Sequence, residues 1–453
     1  MSSPFYTQYK ESGVQWLGGI PEHWKVRRLK EVGVLKGGAG FPPDLQDVAG
    51  EELPFYKVGD LKASTDGRLM TTPEHTISKE IALKLRAAII PKDSILYAKI
   101  GAALSLNRRR VTFGNCCIDN NMTAYIPQKK FIQTSWAFYW LSSLDFSTFK
   151  NPGAVPSFSE GDQGVLPILV PPISEQTQIA AFLDNETAKI DQLIAEQRRL
   201  MELLKEKRQA VISNAVSKGL NPRAPMKLSG AEWLGNVPAH WHRTRIKRTA
   251  RAGTKTFVDG DWIESPYITT EGVRLLQCGN VGTGVFEEQG FRYISEKSFA
   301  SFDCTEVEPG NVLICRLQSS RTILAGRACL APNLGAKMIT SVDNCILKPS
   351  ADFDPRYIVY QLSTAEYLSF IEVVARGGTR DRVSRSMLGN IDLVAPPVKE
   401  QIEIADFLEF ETTKFEALTA EAQCAIDLLQ ERRTALIFAA VTGQIDVRQQ
   451  PGI

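Results

Sequence analysis

The sequence lacks most of the patterns on which metalloenzymes, secreted proteins and membrane proteins depend. Only 4 of its 453 residues are His, and its 8 Cys show neither a CxxC pair nor a regular spacing. We therefore expect reduced, mostly buried thiols in a cytoplasmic protein rather than a disulfide framework or a zinc site. No apolar run approaches the roughly 18 residues of a membrane helix, and the opening MSSPFYTQYKES has no apolar signal-peptide core.

Motifs for phosphate binding and methyl transfer are missing as well. There is no GxxxxGK[ST] loop, and FPPD is a poor match to the Asn/Asp-Pro-Pro-aromatic tetrapeptide of amino-methyltransferases. Asp44, Asp60 and Lys62 have a spacing similar to that of metal-dependent nucleases. The second half of the chain, however, has Asn280 and Gly282 where the first has Asp60 and Lys62. We therefore interpret this segment as a turn at a strand, and we predict no catalytic residue and no metal site.

Charge is nearly balanced over the whole chain, at a formal +2, but not along it. Residues 1–172 carry 20 basic and 16 acidic side chains, and residues 221–397 carry 21 and 18. Residues 173–220 are neutral, and residues 398–453 carry 5 basic and 10 acidic side chains. Two mildly basic bodies therefore alternate with a neutral and an acidic segment.

Two motifs occur twice. VQWLGGIPEHW (14–24) returns as AEWLGNVPAHW (231–241), with six of eleven letters unchanged. PPISEQTQIAAFLD (171–184) returns as PPVKEQIEIADFLE (396–409), with eight of fourteen letters unchanged. The motifs recur 217 and 225 residues further on. Solenoid repeats have periods of about 20–50 residues, so this much longer period indicates two duplicated domains. Trp and Pro at fixed spacing predict a packed segment that docks each body to its helix.

Each Pro-Pro pair is followed by about 45 residues without Gly or Pro. Apolar residues there alternate at three- and four-residue intervals, which predicts two coiled-coil helices that act as spacers. We call the face of each helix that these residues form its seam. Each seam has an acidic residue near its start and a basic one near its end, so opposite charges meet only if the helices are antiparallel. We predict a pseudo-twofold axis with the bodies at opposite ends, roughly 50–70 Å apart. The predicted pairs are Glu186–Arg432, Lys207–Glu411, Leu200–Leu418 and Ile190–Leu428.

Between the motifs, short β-like runs such as DSILYAKIG and NVLICRLQ alternate with helical stretches such as TSWAFYWLSSLDF. This pattern predicts a mixed α/β fold, with a compact α/β domain of about 150 residues in each body. We expect a first domain at 1–172, a central spacer helix at 173–220, a second domain at 221–397 and a C-terminal spacer helix at 398–453.

Basic and hydrogen-bonding side chains cluster beside Gly-rich turns in both bodies. Arg and Lys clamp phosphates, while Arg, Gln and Asn read base edges in the major groove, so these clusters predict DNA binding. In the first body the candidates are Lys57, Lys62, Lys99, Asn107, Arg108, Arg109 and Arg110. In the second body they are Arg243, Arg245, Lys247, Arg316, Gln318, Arg321, Arg376, Arg380, Arg382 and Arg385.

The order WLGxxPxHW, variable body, PPxxEQxxIAxFL and long helix, all repeated once, resembles the specificity subunit of a Type I restriction-modification system (HsdS-like). The resemblance covers essentially the whole chain. It implies a non-catalytic subunit whose two target-recognition domains each read one half of a bipartite, asymmetric site in double-stranded DNA. The helices would set the gap between the halves and hold two modification (methyltransferase) subunits, which restriction (translocase/nuclease) subunits join. S-adenosylmethionine, ATP and Mg²⁺ would serve those partners, and this chain would bind no cofactor.

Two other classes of function stay open. A fused restriction–methylation enzyme could share this layout, but it would need catalytic motifs that these 453 residues do not contain. A coiled-coil scaffold without DNA affinity would have the same helices, and its basic loops would be dispensable.

Overall fold

The computed structural model describes residues 5–46, 48–64, 67–71, 73–149, 156–318, 324–375 and 382–448. The chain divides into two compact units. Unit 1 comprises residues 1–197 and 424–453, and unit 2 comprises residues 198–423. Both boundaries fall inside long helices, so each unit contains one mixed α/β body and one part of each helix.

Four small sheets lie within the described residues of unit 1. Its strands are β1 (Tyr9–Glu11), β2 (Gly19–Pro21), β3 (Lys25–Arg28), β4 (Gly33–Gly37), β5 (Leu53–Tyr56), β6 (Thr76–Ile77), β7 (Ile95–Ala98), β8 (Arg109–Val111), β9 (Cys117–Ile118), β10 (Met122–Pro127) and β11 (Pro167–Val170). The largest sheet is antiparallel, in the order β4-β10-β7-β8. In a second sheet β5 pairs antiparallel with β6 and parallel with β9. β1 and β2 form a hairpin, and β3 pairs with β11.

The helices of unit 1 are short, except for the long one that leaves its body. They are α1 (Leu29–Val32), α2 (Lys79–Lys84), α3 (Ala102–Ser105), α4 (Thr134–Ser143), α5 (Glu160–Val165) and the first part of α6 (Ile173–Lys218). The main core is aromatic: Trp24, Trp136 and Trp140 are fully buried, and the rings of Trp24 and Trp136 meet edge to face at 5.5 Å. Such pairs add specific geometry to a large apolar area.

Unit 2 repeats this arrangement with different residues. Its strands are β12 (Met226–Ala231), β13 (Leu234–Pro238), β14 (His242–Arg245), β15 (Phe257–Asp259), β16 (Ile268–Thr269), β17 (Val273–Leu276), β18 (Arg292–Ile294), β19 (Val312–Cys315), β20 (Ala328–Leu330), β21 (Met338–Thr340), β22 (Asn344–Leu347) and β23 (Asp392–Ala395). Its helices are α7 (Glu296–Ser301), α8 (Pro355–Gln361), α9 (Ala365–Ala375), α10 (Arg385–Asn390) and the first part of α11 (Val398–Val441).

Strand pairing follows the same plan in both units. The sheet β15-β22-β19-β20 of unit 2 has the pairing order of β4-β10-β7-β8, and the parallel pair β17/β21 corresponds to β5/β9. The hairpin β12/β13 and the ribbon β14/β23 correspond to β1/β2 and β3/β11. The prediction of two duplicated mixed α/β bodies is therefore confirmed.

The two predicted long helices are present. α6 has 46 residues and α11 has 44. Each is followed within two residues by a glycine in the left-handed region, Gly219 at φ +70° and Gly443 at φ +75°, a conformation that favours glycine after helix ends. No helix in the described ranges combines the length and apolarity needed to cross a bilayer. All eight Cys are described, all are free thiols, and six of them are buried.

The helices pair antiparallel within each unit. In unit 1 the Arg433 guanidinium contacts the Asp191 carboxylate at 2.9 Å (Nε to Oδ1) and 3.2 Å (Nη2 to Oδ2). Ile179 and Leu183 share that unit's core with residues 437–441, so the rising numbers of α6 meet the falling numbers of α11. In unit 2 the same holds for residues 208–216 against 404–416.

The predicted register is wrong by six residues: it would set Asp191 opposite Asp427, whereas Asp191 pairs with Arg433. The buried or half-buried face of α6 is formed by residues 179, 183, 187, 190, 194, 197, 201, 204, 208 and 212, and the same positions 225 further on form that of α11. Five of these ten positions (179, 183, 190, 197 and 204) agree with the strict repeat, and the other five lie one residue beyond it, beginning with the second four-residue step from 183 to 187. The average period is therefore near the 3.6 of a straight helix rather than the 3.5 of a strict heptad.

This shift removes the predicted partners from the seam. Glu186 and Glu411 bind Lys189 and Lys414 of their own helices, at 2.6 Å each, instead of meeting Arg432 and Lys207. The remaining predicted apolar pairs are also broken: Leu200, Leu418 and Leu428 are 42%, 46% and 60% exposed, although Ile190 is buried. The charge-sign argument itself holds. The ion pairs between the helices in the described residues are Asp191–Arg433 and Glu416–Arg208, an acid in the first half of each helix and a base in the second half.

Candidate nucleic-acid interface

The repeated motifs meet at one carboxylate in each unit. In unit 1 the buried Glu175, in the first turn of α6, accepts hydrogen bonds from the Tyr6 hydroxyl (2.6 Å), His23 Nε2 (2.7 Å) and Trp24 Nε1 (3.1 Å). In unit 2 Glu400 of α11 accepts the same bonds from His240 (2.7 Å) and Trp241 (3.1 Å). We call Glu175 with its three donors, and Glu400 with its two, the clasps.

The residue after each clasp carboxylate fixes the other side of the helix start. Gln176 Nε2 donates to the Pro171 carbonyl (2.9 Å), and its Oε1 accepts from the Gln133 amide (2.8 Å). Gln401 repeats both bonds with the Pro396 carbonyl (2.9 Å) and the Asp354 amide (3.1 Å). The predicted docking of the Trp motif to its helix is confirmed. The carboxylate acceptor was missed, although Glu at the same place in both copies of PPxxEQ was a signal for it.

The described candidate DNA-binding residues differ widely in exposure. The exposed ones are Lys62, Arg108, Arg243, Arg245, Lys247, Arg382 and Arg385. The half-buried ones are Lys57, Lys99, Asn107, Arg110 and Gln318, and the buried ones are Arg109 and Arg316. Three candidates lie outside the described residues: Arg321, Arg376 and Arg380.

In unit 1 two of the candidates flank the turn that leads into β10. Lys57 directly follows β5, and its Nζ lies 2.5 Å from the Gln46 side-chain oxygen. Lys99 directly follows β7; its Nζ binds Glu160 of α5 at 2.9 Å, and its amide donates to the Asn121 carbonyl. Between them Asp119 accepts from the amides of residues 58 and 121. Burial raises the pKa of Asp119. We call this group the strand-end cluster of unit 1.

In unit 2 the strand-end cluster is built at the same place in the fold. Arg316 directly follows β19, as Lys99 follows β7, and its Nε lies 3.1 Å from Asp259 Oδ1. Its amide donates to the Asp343 carbonyl at 2.8 Å. Arg382 binds the Asp343 carboxylate at 2.9 Å, and Arg385 lies 3.9 Å from that of Asp259. A β-bridge joins residues 317 and 382, so Gln318 lies beside this group.

The run from Asn107 to Arg110 is not part of the strand-end cluster. Arg109 is 3% exposed, donates to the Leu144 carbonyl at 2.8 Å and lies 3.9 Å from the centre of the Phe146 ring. Burial lowers the pKa of Arg109 to about 10, so its guanidinium stays charged at neutral pH. Asn107 binds Asp145 at 2.5 Å, and Arg110 donates to backbone carbonyls. Of this run, only Arg108 is exposed.

Arg243 and Arg245, in the basic segment after the second Trp motif, approach a carboxylate outside the strand-end cluster. Arg243 and Arg245 are on β14, which pairs with β23 immediately before α11. Both approach the Asp392 carboxylate, at 3.9 and 3.8 Å, and Arg243 donates to the Gly230 carbonyl at 2.7 Å. Lys247 is exposed in the 3-10 turn that follows. The structure thus brings together Arg316, Gln318, Arg382 and Arg385, whereas Arg243 and Arg245 surround Asp392 and the turn of Lys247 packs against α10.

Asp44, Asp60 and Lys62, whose spacing is similar to that of metal-dependent nucleases, do not form a metal-binding arrangement. Asp60 accepts a hydrogen bond from the Lys57 amide at 2.7 Å, within a 3-10 turn that spans Val58–Lys62. Asn280 accepts the same bond from the Gln277 amide in unit 2, at 2.8 Å. Among the residues that the structure describes, no three His, Cys, Asp or Glu side chains come together as a metal site.

The family model and the relatives that match this chain all belong to the same kind of protein. Residues 21–202 match the family described as the Type I restriction modification DNA specificity domain. The specificity subunit of the Type I restriction enzyme MjaVIII of Methanocaldococcus jannaschii is 21% identical over 450 residues, which cover 97% of each chain. That of EcoKI of Escherichia coli K12 is 20% identical, over 94% of this chain and 90% of its own.

Solved structures share the fold along nearly the whole chain. A chain from a study of complex assembly and conformational transition in a type I R-M system superposes with a TM-score of 0.68, at 16% identity, over 93% of this chain and 98% of its own. The HsdS subunit of Thermoanaerobacter tengcongensis superposes with a TM-score of 0.51, at 16% identity, over 96% and 100%.

Proposed function

We propose, from the premise that this chain is an HsdS-like specificity subunit of the Type I restriction-modification kind, that it is the DNA-reading component of such a complex. Unit 1 reads one half of a bipartite, asymmetric double-stranded site, and unit 2 reads the other. The strand-end clusters lie at the reading surface, and the exposed Lys62, Arg108, Arg382 and Arg385 supply phosphate contacts.

One observation carries this proposal: the two units share a framework and differ in the side chains that the framework presents. Both have the clasp, the same strand pairing and a basic residue directly after the equivalent strand, Lys99 and Arg316. Where unit 1 places Lys57 after its parallel strand, unit 2 places Gln277. A duplicated frame with different presented side chains suits two different half-sites, which a true homodimer could not read.

The long helices give the proposal its partners. α6 and α11 would set the gap between the half-sites and hold two modification subunits, and restriction subunits would complete the nuclease. Methyl transfer with S-adenosylmethionine, and cleavage with ATP and Mg²⁺, would belong to those partners in the cytoplasm. The chain by itself would neither cut nor methylate DNA. In domain terms, residues 1–172 and 221–397 would be the target-recognition domains, with spacers at 173–220 and 398–453.

A salt titration of DNA binding tests the proposal. The chain would be purified with its modification subunits, and the affinity for a duplex that contains the site measured from about 50 to 200 mM salt. Phosphate contacts release counterions, so the logarithm of affinity should fall steeply and linearly with the logarithm of salt concentration. Arg382→Ala together with Arg385→Ala should weaken binding and flatten the slope by about one or two.

The matched control is Arg223→Ala, which removes an exposed arginine of unit 2 that lies outside both long helices and is not a DNA-binding candidate. It should leave both the affinity and the slope unchanged. A complex that binds DNA weakly with no salt dependence, or one in which the arginine variants bind as the unchanged protein does, would favour a coiled-coil scaffold.

A further inference from the structure

Unit 2 has an open cavity of about 280 Å³ at the carboxyl end of its parallel strand pair β17/β21. Its wall includes Trp262, Gln277, Arg292 and Asp343. Asp343 links the cavity to the strand-end cluster, because its carboxylate binds Arg382 at 2.9 Å. Ligand sites in sheets that contain parallel strands lie at this end. The volume is slightly below that of usual small-molecule pockets, roughly 300–1,000 Å³, and the cavity is open, which suits the edge of a larger ligand.

Trp262 is the unusual member of this wall. Its side chain is 75% exposed, whereas Trp24, Trp136, Trp140 and Trp241 are fully buried. Burial of an aromatic side chain is among the larger stabilising contributions in a protein, so an indole left in water at the rim of a cavity suggests a contact made in a complex.

The equivalent position in unit 1 has no side chain. Gly38 and Gly260 correspond, since a Cβ at either would overlap the backbone carbonyls at the start of the turn before β10 or β22. Two residues further on, unit 1 has Gly40 and unit 2 has Trp262. A Cβ at Gly40 would meet nothing within 4 Å. The two units therefore share the frame and differ in what projects from it.

The cavity wall also contains two side chains that can donate hydrogen bonds and two carboxylates, one of which is paired with an arginine. Arg292 is exposed on β18 and makes no ion pair within the described residues. Gln277 carries an amide at the end of β17. Of the two wall carboxylates, Asp343 is balanced by Arg382, and Asp261 is half-buried and accepts the Thr305 amide at 3.1 Å. Burial raises the pKa of Asp261.

We infer that Trp262, Gln277 and Arg292 are the base-reading residues of unit 2 and touch base edges of duplex DNA in its half-site. Arg suits the N7 and O6 acceptors of guanine, Gln suits adenine, and an indole face packs on a thymine methyl group or on a base step. Arg382 and Arg385, beside the cavity, clamp the neighbouring phosphates. The inference rests on the proposed function and adds which residues of unit 2 choose the sequence.

The test is a map of methylated adenines in cells that express the chain with its modification subunit. Trp262→Ala and Arg292→Ala, each alone, should relax one or two positions by about tenfold or more, all in one half of the site. Arg292→Lys should retain affinity but lose discrimination at the position that Arg292 reads, because Lys lacks the planar fork. The other half should stay as strict as in the unchanged protein.

The matched control is Leu228→Ala, which truncates an apolar side chain of unit 2 that is 82% exposed on the hairpin β12/β13. Its map should equal that of the unchanged protein, and all variants should keep its melting temperature. A site unchanged in Trp262→Ala and Arg292→Ala would overturn the inference while leaving the proposed function intact. So would a loss of both halves together. Absence of any bipartite site with the unchanged chain would instead refute the proposed function.

Discussion

At the scale of single residues, the recurrence of the Trp and Pro-Pro motifs is explained by a carboxylate in each unit that joins the two motifs. Trp24 and Glu175 are 151 positions apart, yet Trp24 Nε1 lies 3.1 Å from the Glu175 carboxylate, and Trp241 and Glu400 repeat the contact. The sequence could locate both partners because each recurs. It could not join them, since the acceptor of a Trp N–H depends on how the body folds back on its helix.

The unit 1 clasp should be the more sensitive of the two to truncation. Glu175→Ala would leave the donors of Tyr6 and Trp24 buried without an acceptor, which should cost about 2–4 kcal/mol in the free energy of unfolding. Glu400→Ala should cost about half as much, because that carboxylate is partly exposed and has two donors. Urea unfolding followed by Trp fluorescence measures both. The exposed Glu202→Ala is the control, and equal losses in all three variants would contradict the clasp.

Arg108 and Arg109 are neighbours with opposite expected roles. Arg109→Ala should destabilise unit 1 by about 2–4 kcal/mol, because it empties a buried site and removes the bond to the Leu144 carbonyl. Arg108→Ala should change stability by less than about 0.5 kcal/mol but weaken DNA binding and lower its salt slope by about one. Thermal unfolding and a salt titration separate the two effects. Reversed effects would place Arg109, not Arg108, on the binding surface.

At the scale of elements, the length and antiparallel sense of the helices could be predicted, but their contact register could not. A strict 3.5-residue repeat placed Glu186 in the seam, whereas Thr187 lies there and donates to the Leu183 carbonyl at 2.6 Å. The six-residue difference in register changes which charges meet, but an acidic side chain of one helix still meets a basic side chain of the other. The prediction therefore erred on the residues and was right on the signs. Strand order within the bodies was also beyond the sequence, because β4 and β10 pair across roughly 90 residues.

A double-mutant cycle distinguishes the observed register from the predicted one. Asp191→Ala and Arg433→Ala should show a coupling of about 0.5–1 kcal/mol in the free energy of unfolding, since both groups are partly exposed. The matched cycle uses Glu186→Ala and Arg432→Ala, the pair expected from the heptad, and its coupling should be close to zero. Coupling in the second cycle and none in the first would restore the predicted register.

At the scale of the whole molecule, duplication was the feature that the sequence carried most clearly. The two motifs alternate along the chain, and their second copies lie 217 and 225 residues after the first. This repetition predicted two bodies with the same fold, and the shared strand pairing confirms the prediction. The residues that would read DNA were less predictable. Clustering of basic residues in the sequence selected Arg109 and Arg316, which are buried, because exposure is set by the fold rather than by charge. It passed over Arg292, which has no basic neighbour in the sequence, and Trp262, which carries no charge.

Exchange of one body tests whether the units read independently. Replacing residues 25–170 by the equivalent body of another specificity subunit should change one half of the recognised site and keep the other half. The reason is that the clasp of unit 2, its strand-end cluster and its cavity contain no residue from that segment. The methylated sites of the hybrid and the unchanged protein would be compared. A hybrid in which both halves change would show that the units do not act as separate readers.

The most direct measurement is the genome-wide map of methylated adenines in a host that expresses this chain together with its modification subunit. The account predicts one motif, made of two different half-sites at a fixed separation, that disappears when this chain is omitted. A map with no motif that depends on the chain, or one whose two halves are identical, would contradict it.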